Sequence, residues 1–114
     1  MKLDNFHYLE KPDLFENFKI QITKDFELCG FLEYAPKLRT NDLNHVYEEI
    51  LKSVHQMGKR SSSNLMNLLY RIDLSELQIK QMNQTEPKKS FEEIITIAII
   101  KRILQKVVFK HLYS

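Results

Sequence analysis

The side chains in this sequence best equipped for chemistry are four histidines (His7, His45, His55 and His111), the single cysteine Cys29, and the serine run Ser61, Ser62 and Ser63. A histidine and a carboxylate one helical turn apart can ligate a metal ion from one face. His45 and Glu49 have that spacing. On the helical wheel, however, this face lies opposite the apolar stripe of its segment, and Lys52 shares it. Glu48 and Lys52 also stand at i,i+4, the spacing of a solvated surface pair. A solvated charged face is therefore expected, with no metal and no cofactor. Di-iron sites in helical bundles need inward-facing Glu-x-x-His motifs, and the chain contains none.

The nucleophiles lack the settings that activate them. Thiolates are stabilised at helix N-termini and beside cations. Cys29 instead ends the apolar stripe of its helix, near the C-terminal end, where it reads as core filler. The serines have no Gly-x-Ser-x-Gly turn around them, and a triad with His55 and an acid would rest on composition alone. No catalytic residue is assigned. Gly30 and Gly58 are isolated, so neither phosphate-binding glycine signature is present.

Charge offers a sharper signal. The net charge is +2. Residues 1–58 carry seven basic and ten acidic side chains, whereas residues 59–114 carry ten basic and five acidic. Lys101, Arg102, Lys106 and Lys110 fall in the last predicted helix, and no acid follows Glu93. Such a face can track phosphates or contact a partner. Cations near a helix C-terminus also complement its dipole with no partner at all. Asn64 to Met82 reads as helix, short turn, helix. Its turn, Ile72-Asp73-Leu74-Ser75, lacks the frequent glycine, and its second helix carries a single cation.

The elements that must position these residues are helices. Only two glycines and three prolines interrupt the chain, and no strand-like alternation stands between turn signals. The first helix is predicted from Pro12 to Cys29. Asp13 and Glu16 have capping-box spacing, Phe15, Phe18, Ile22, Phe26 and Cys29 form a stripe, and Gly30 is a left-handed stop. Phe31 to Arg39 follows as a loop. The second helix is predicted from Asp42 to Met57, with Leu43, Val46, Tyr47, Ile50, Leu51, Val54 and Met57 on its apolar face. Thr40, Asn41 and Asp42 all offer capping oxygens. Gly58 is expected to end this helix, leaving 59–63 as a loop.

A third helix spans Asn64 to Arg71. A fourth runs from Glu76 to Met82, started by a Ser75–Gln78 capping box with Leu74 and Ile79 at the staple positions. Residues 83–89 form a loop. The last helix starts at Ser90, with Glu93 completing a capping box, and reaches Leu112. Its isoleucines and valines also suit a buried strand, but length, capping and the polar Lys101-Arg102/Gln105-Lys106 repeat decide for helix.

The expected fold is an all-α, compact bundle of four to five helices in one domain, residues 1–114. The long, very apolar C-terminal helix lies at its centre, and residues 1–11 form an N-terminal arm. Phe6, Tyr8, Phe31 and Tyr34 fall outside the helical stripes; they either lid the bundle or form part of a contact surface, and packing is the expected use. One cysteine suits a reducing compartment. The longest greasy run, Ile94 to Ile100, is far short of the roughly 20 residues of a membrane span. A cytoplasmic protein is expected.

By elimination the functional expectation is a non-enzymatic helical interaction protein, a subunit or adaptor. A nucleic-acid-associated regulator using the basic C-terminal helix is the alternative, and a small enzyme ranks third. The partner is expected to be another protein or a second copy. The second copy is suggested by the last helix itself. Ile94, Ile95, Ala98 and Ile99 lie along the arc that Lys101, Arg102, Gln105 and Lys106 continue, and a helix apolar all round must be covered all round. Either the chain covers this arc or a homodimer does, through Ile95 and Ile99.

Overall fold

The computed structural model describes residues 6–60 and 62–113. Residues 1–5 of the expected arm and Ser61 of the expected 59–63 loop lie outside the described residues. The described residues form five α-helices: α1 (Pro12–Leu28), α2 (Leu43–Arg60), α3 (Ser62–Arg71), α4 (Glu76–Thr85) and α5 (Phe91–Tyr113). Short 3-10 turns at Phe6–Glu10 and Leu32–Tyr34 precede α1 and α2 respectively. The all-α bundle expected from the sequence is the architecture observed.

Helix α5 is the axis of the structure. At about 1.5 Å per residue, its 23 residues match the 33 Å longest dimension of the molecule. Every residue from Ile94 to Ile100 is buried. Helices α1, α2 and α4 and the Phe6–Glu10 turn all pack on α5, so its first half is enclosed within one chain. Ile95 and Ile99, expected as contacts with a second copy, are both 0% exposed. That expectation is corrected: the single chain supplies the cover, and neither side chain has surface left to offer. Thr96, the polar member of the run, satisfies its hydroxyl by donating to the Glu92 carbonyl at 2.8 Å.

The capping signals divide sharply. At the start of α4, the Ser75 hydroxyl accepts from the Gln78 backbone N–H at 3.1 Å, while the Gln78 side chain accepts from the Ser75 N–H at 2.9 Å. At the start of α5, Ser90 and Glu93 make the same reciprocal pair, at 2.8 and 3.1 Å. The Tyr47 hydroxyl of α2 donates to the same Glu93 carboxylate at 3.4 Å. These donors, Ser90 first, hold the Glu93 carboxyl below the usual carboxylate range. The Asp13–Glu16 box is not formed: Lys11 is the N-cap of α1 and makes no side-chain capping bond. Pro12 already removes one of the orphan donors there.

Two helix ends share one geometry. Gly30 has φ +81°, with Gly30 N–H bonded to Glu27 O and Phe31 N–H to Phe26 O, each at 2.9 Å. This is the Schellman closure that the glycine signals. At the end of α3 the same pair of bonds forms, Asp73 N–H to Tyr70 O and Leu74 N–H to Leu69 O. Here the left-handed residue is Asp73, at φ 65°, a conformation that costs a non-glycine residue roughly 1 kcal/mol.

Gly58 does not end α2, which continues to Arg60. A mid-helix glycine costs only about 1 kcal/mol, and tertiary contacts on this turn outweigh it. Met57 is fully buried beside Gly58, and His55 pairs with Glu92 of α5 at 3.0 Å. Residues 59–60 and 62–63 are therefore helical. Helix α4 likewise runs to Thr85, so residues 83–85 of the expected loop are helical too. The expected lid is confirmed in its packing: Phe6 is buried, and Tyr8, Phe31 and Tyr34 pack half-buried against the core.

Because α5 is enclosed by its own chain, Ile95→Lys and Ile99→Lys are expected to unfold the protein rather than release a folded monomer. Ile99→Ala should cost about 2 to 5 kcal/mol, read from urea denaturation. A folded Ile99→Lys chain in circular dichroism would contradict this packing.

Candidate functional site

The arc of α5 that is buried over Ile94–Ile99 is open over its second half. Phe109, Leu112 and Tyr113 are 62%, 66% and 75% exposed. With Ala98, Lys101, Arg102, Gln105, Lys106 and Lys110 they occupy one side of the helix at 100° per residue. The open side begins as a groove between α4 and α5, with a volume of about 450 Å³. Its floor is Leu74, Met82 and Ala98; Gln78, Gln81 and Thr85 wall it from α4, and Lys101, Arg102 and Gln105 from α5. A smaller depression continues from Arg102 past Lys106, Phe109 and Lys110.

Local sequence accounts for the groove. In the run Ile94 to Ile100, Ala98 is the smallest side chain, and it forms the floor where an isoleucine would fill the space. Helix α4 buries only Ile79 among its ten residues. Its inward residues beside the groove are glutamines, a methionine and a threonine, which stand off α5 without closing over it.

The four cations expected as phosphate or partner contacts divide by environment. Arg102 is committed to the fold. Its guanidinium donates to Ile72 O at 3.3 Å and lies 3.5 Å from the Asp73 carboxylate, gripping the left-handed turn between α3 and α4. Lys110 donates to the Gln21 side chain of α1 at 3.3 Å. Lys101 and Lys106 are half-buried and have no hydrogen-bond or ion-pair partner among the described residues. Their stems lie along the protein while their ammonium groups remain available. Among the described residues no carboxylate lines either depression. A second depression, about 410 Å³ near Phe6, Tyr47 and Ile97, carries Glu86 and Lys89 together and thus has no charge preference.

The other side chains weighed for chemistry are engaged by neighbours or lie exposed. His45 Nε2 accepts the Arg39 backbone N–H at 3.0 Å, which occupies the lone pair a metal would need. Glu49 pairs with Lys52 at 3.1 Å. That hydrogen bond, helped by the charges of Lys52 and Arg39, holds the Glu49 carboxyl below its ordinary value. Among the described residues no three histidines, cysteines or acids are close enough to hold a metal. His55 faces Glu92, and Ser62 and Ser63 are exposed on the first turn of α3. Burial pushes the Cys29 thiol up, Arg71 opposes this and Asp25 adds to it. Its Sγ approaches the Asn67 carbonyl at 3.9 Å.

Sequence reasoning passed over Asp25, which is 1% exposed on α1. Its carboxylate accepts from Gln21 at 3.2 Å and lies 3.7 Å from the Arg71 guanidinium of α3. The signal was present: Asp25 continues the Phe18–Ile22 spacing one position before Phe26. Gln21, bonded on its other side by Lys110, makes this a polar chain across α5, α1 and α3.

Comparison with protein-family models, with curated proteins and with solved structures gives no match. No helix among the described residues is long and apolar enough to cross a membrane.

The division among the cations is testable by stability alone. Lys101→Gln and Lys106→Gln should each change the unfolding free energy by less than about 0.5 kcal/mol. Arg102→Gln should cost about 1 kcal/mol, a charged hydrogen bond discounted for solvent screening. Equal effects of all three substitutions in urea titrations would show that Arg102 does not hold the α3–α4 turn.

Proposed function

We propose that this protein is a non-enzymatic helical interaction protein, an adaptor or subunit that presents the open side of α5 to a partner. The observation that carries the reading is the coincidence, along one side of one helix, of two lysines unpaired among the described residues with three large exposed apolar side chains. Exposed Phe109, Leu112 and Tyr113 represent apolar area whose burial would be worth roughly 25 cal/mol per Å². Contiguous apolar surface rimmed by charge marks interaction sites, and aromatic residues are enriched at the buried centres of interfaces. The rigid bundle beneath supports this use, since α5 is anchored by its buried first half and can present its second half without rearrangement.

A second reading is supported by one specific feature. The Phe109 and Tyr113 rings lie 4.7 Å apart, with Lys106 and Lys110 on the same side of the helix. Aromatic rings beside cations suit single-stranded nucleic acid, whose bases stack and whose phosphates pair.

Photocrosslinking separates an interaction surface from a merely solvated one. A benzoylphenylalanine at position 109 should give a discrete adduct in cells producing the protein, and Lys101→Glu with Lys106→Glu should remove it. The same probe at Tyr70, equally exposed on α3, should not give that adduct. Absence of an adduct at 109, or its equal appearance from 70, would overturn the proposal.

The nucleic-acid reading makes its own prediction. An oligonucleotide of about 20 bases should bind in a salt-dependent manner, and Lys106→Gln with Lys110→Gln should lower the logarithmic salt slope by about 1.4. Weak binding with an unchanged slope would exclude it.

A further inference from the structure

We infer that the groove between α4 and α5 receives an acidic amphipathic helix from a partner protein, an inference that rests on the open side of α5 being an interaction surface. The floor selects for aliphatic side chains. Leu74, Met82 and Ala98 offer methyl groups and a thioether, and no aromatic ring lines the groove on which a nucleobase could stack. Methionine adapts to varied apolar partners, a property used in grooves that bind helices. The groove is a solvent-open depression rather than an enclosed cavity, lies between two helices with Leu74 of the preceding turn, and is about 450 Å³ in volume. That shape suits an apolar stripe at i, i+3, i+4 and i+7 rather than an enclosed small molecule.

The walls select the sign of charge. Lys101 is half-buried on the α5 wall and has no partner among the described residues, Arg102 lies beside it, and Lys106 continues the line, likewise without a partner among them. Among the described residues no carboxylate lines the groove. Gln81 and Gln105 face it from opposite walls and are exposed, so they can hydrogen-bond to polar groups at the edge of a bound helix. Carboxylates flanking the apolar stripe of an incoming helix would meet Lys101 on one flank, whereas lysines there would leave like charges facing across a partly desolvated surface. Acid-bearing chains are therefore the complementary partner, and basic ones are rejected.

The probe is a fluorescein-labelled synthetic helix of about 15 residues, spanning roughly 22 Å, with leucines along one stripe and glutamates on both flanks. Its control replaces each glutamate with lysine. In fluorescence anisotropy the glutamate peptide is expected to bind at least about 10-fold more tightly than the lysine peptide. Amide shifts in NMR should centre on Met82, Ala98 and Lys101. Lys101→Glu with Gln105→Glu places two acids on the wall without touching the buried floor, and should weaken binding of the glutamate peptide at least about 10-fold. Ala98→Phe should block the floor, with circular dichroism checking that the variant still folds.

Binding that ignores the peptide's charge, or shifts confined to residues outside the groove, would overturn the inference. So would preferential binding of an oligonucleotide at Lys101. None of these outcomes touches the crosslink from position 109, so the wider reading of α5 stands or falls separately.

Discussion

Everything in this fold answers to one constraint, the all-round apolarity of α5 between Ile94 and Ile100. A helix with a single apolar stripe needs one neighbour. This segment needs neighbours on every side, because each exposed isoleucine would forgo roughly 1.5 to 3 kcal/mol of burial. Helices α1, α2 and α4 and the Phe6–Glu10 turn meet that demand together. Their own stripes are conventional: Phe18, Ile22 and Phe26 on α1 and Val46, Ile50, Val54 and Met57 on α2 are all buried. The helices around α5 thus bury one face each, while the centre buries all of its own.

Polar groups fix how that cover is arranged. Apolar burial is non-directional, so it does not by itself set the angle at which α3 hands over to α4. Arg102 ties the connection between them to α5, donating to the Ile72 carbonyl and lying 3.5 Å from the Asp73 carboxylate across a left-handed turn that glycine would adopt more readily. The chain Lys110, Gln21, Asp25 and Arg71 similarly ties three helices at fixed registers. Asp25 is buried with its oxygens satisfied, which avoids the penalty of an unpaired buried charge. The Tyr47–Glu93–Ser90 cluster anchors the start of α5 against α2. These interactions need not add much net stability to matter; they choose among packings that area alone leaves nearly equal.

The functional surface follows from where the cover stops. Over Ile94–Ile99 the chain has enough neighbours to enclose α5, and past Lys101 it has not. Helix α4 is short, polar on its inward face and anchored by Ile79, so it forms a wall beside α5 rather than a roof over it. The side of α5 that would otherwise stay covered emerges as a groove with an apolar floor and then as a ridge of lysines and aromatics. An interaction site here is thus the continuation of the core packing to the point where it runs out of chain.

From the sequence alone came the fold class, the existence of all five helices, both Ser-led capping boxes and the left-handed stop at Gly30. Each depends on residues a few positions apart, and local spacing determines periodicity, caps and turns. The ends of α2 and α4 were not legible, because Gly58 and the polar residues after Met82 are weak local breakers that tertiary contacts overrule. Nor was the fate of Ile95 and Ile99: a helical wheel shows that an arc must be covered but not by which chain. Lys101, Arg102, Lys106 and Lys110 looked alike as a basic face. Only the tertiary structure separated Arg102 and Lys110, tied to Asp73 and Gln21, from the two unpaired lysines, because their partners lie 29 and 89 residues away along the chain. Contacts at that separation are set by how helices pack, and no periodicity encodes them.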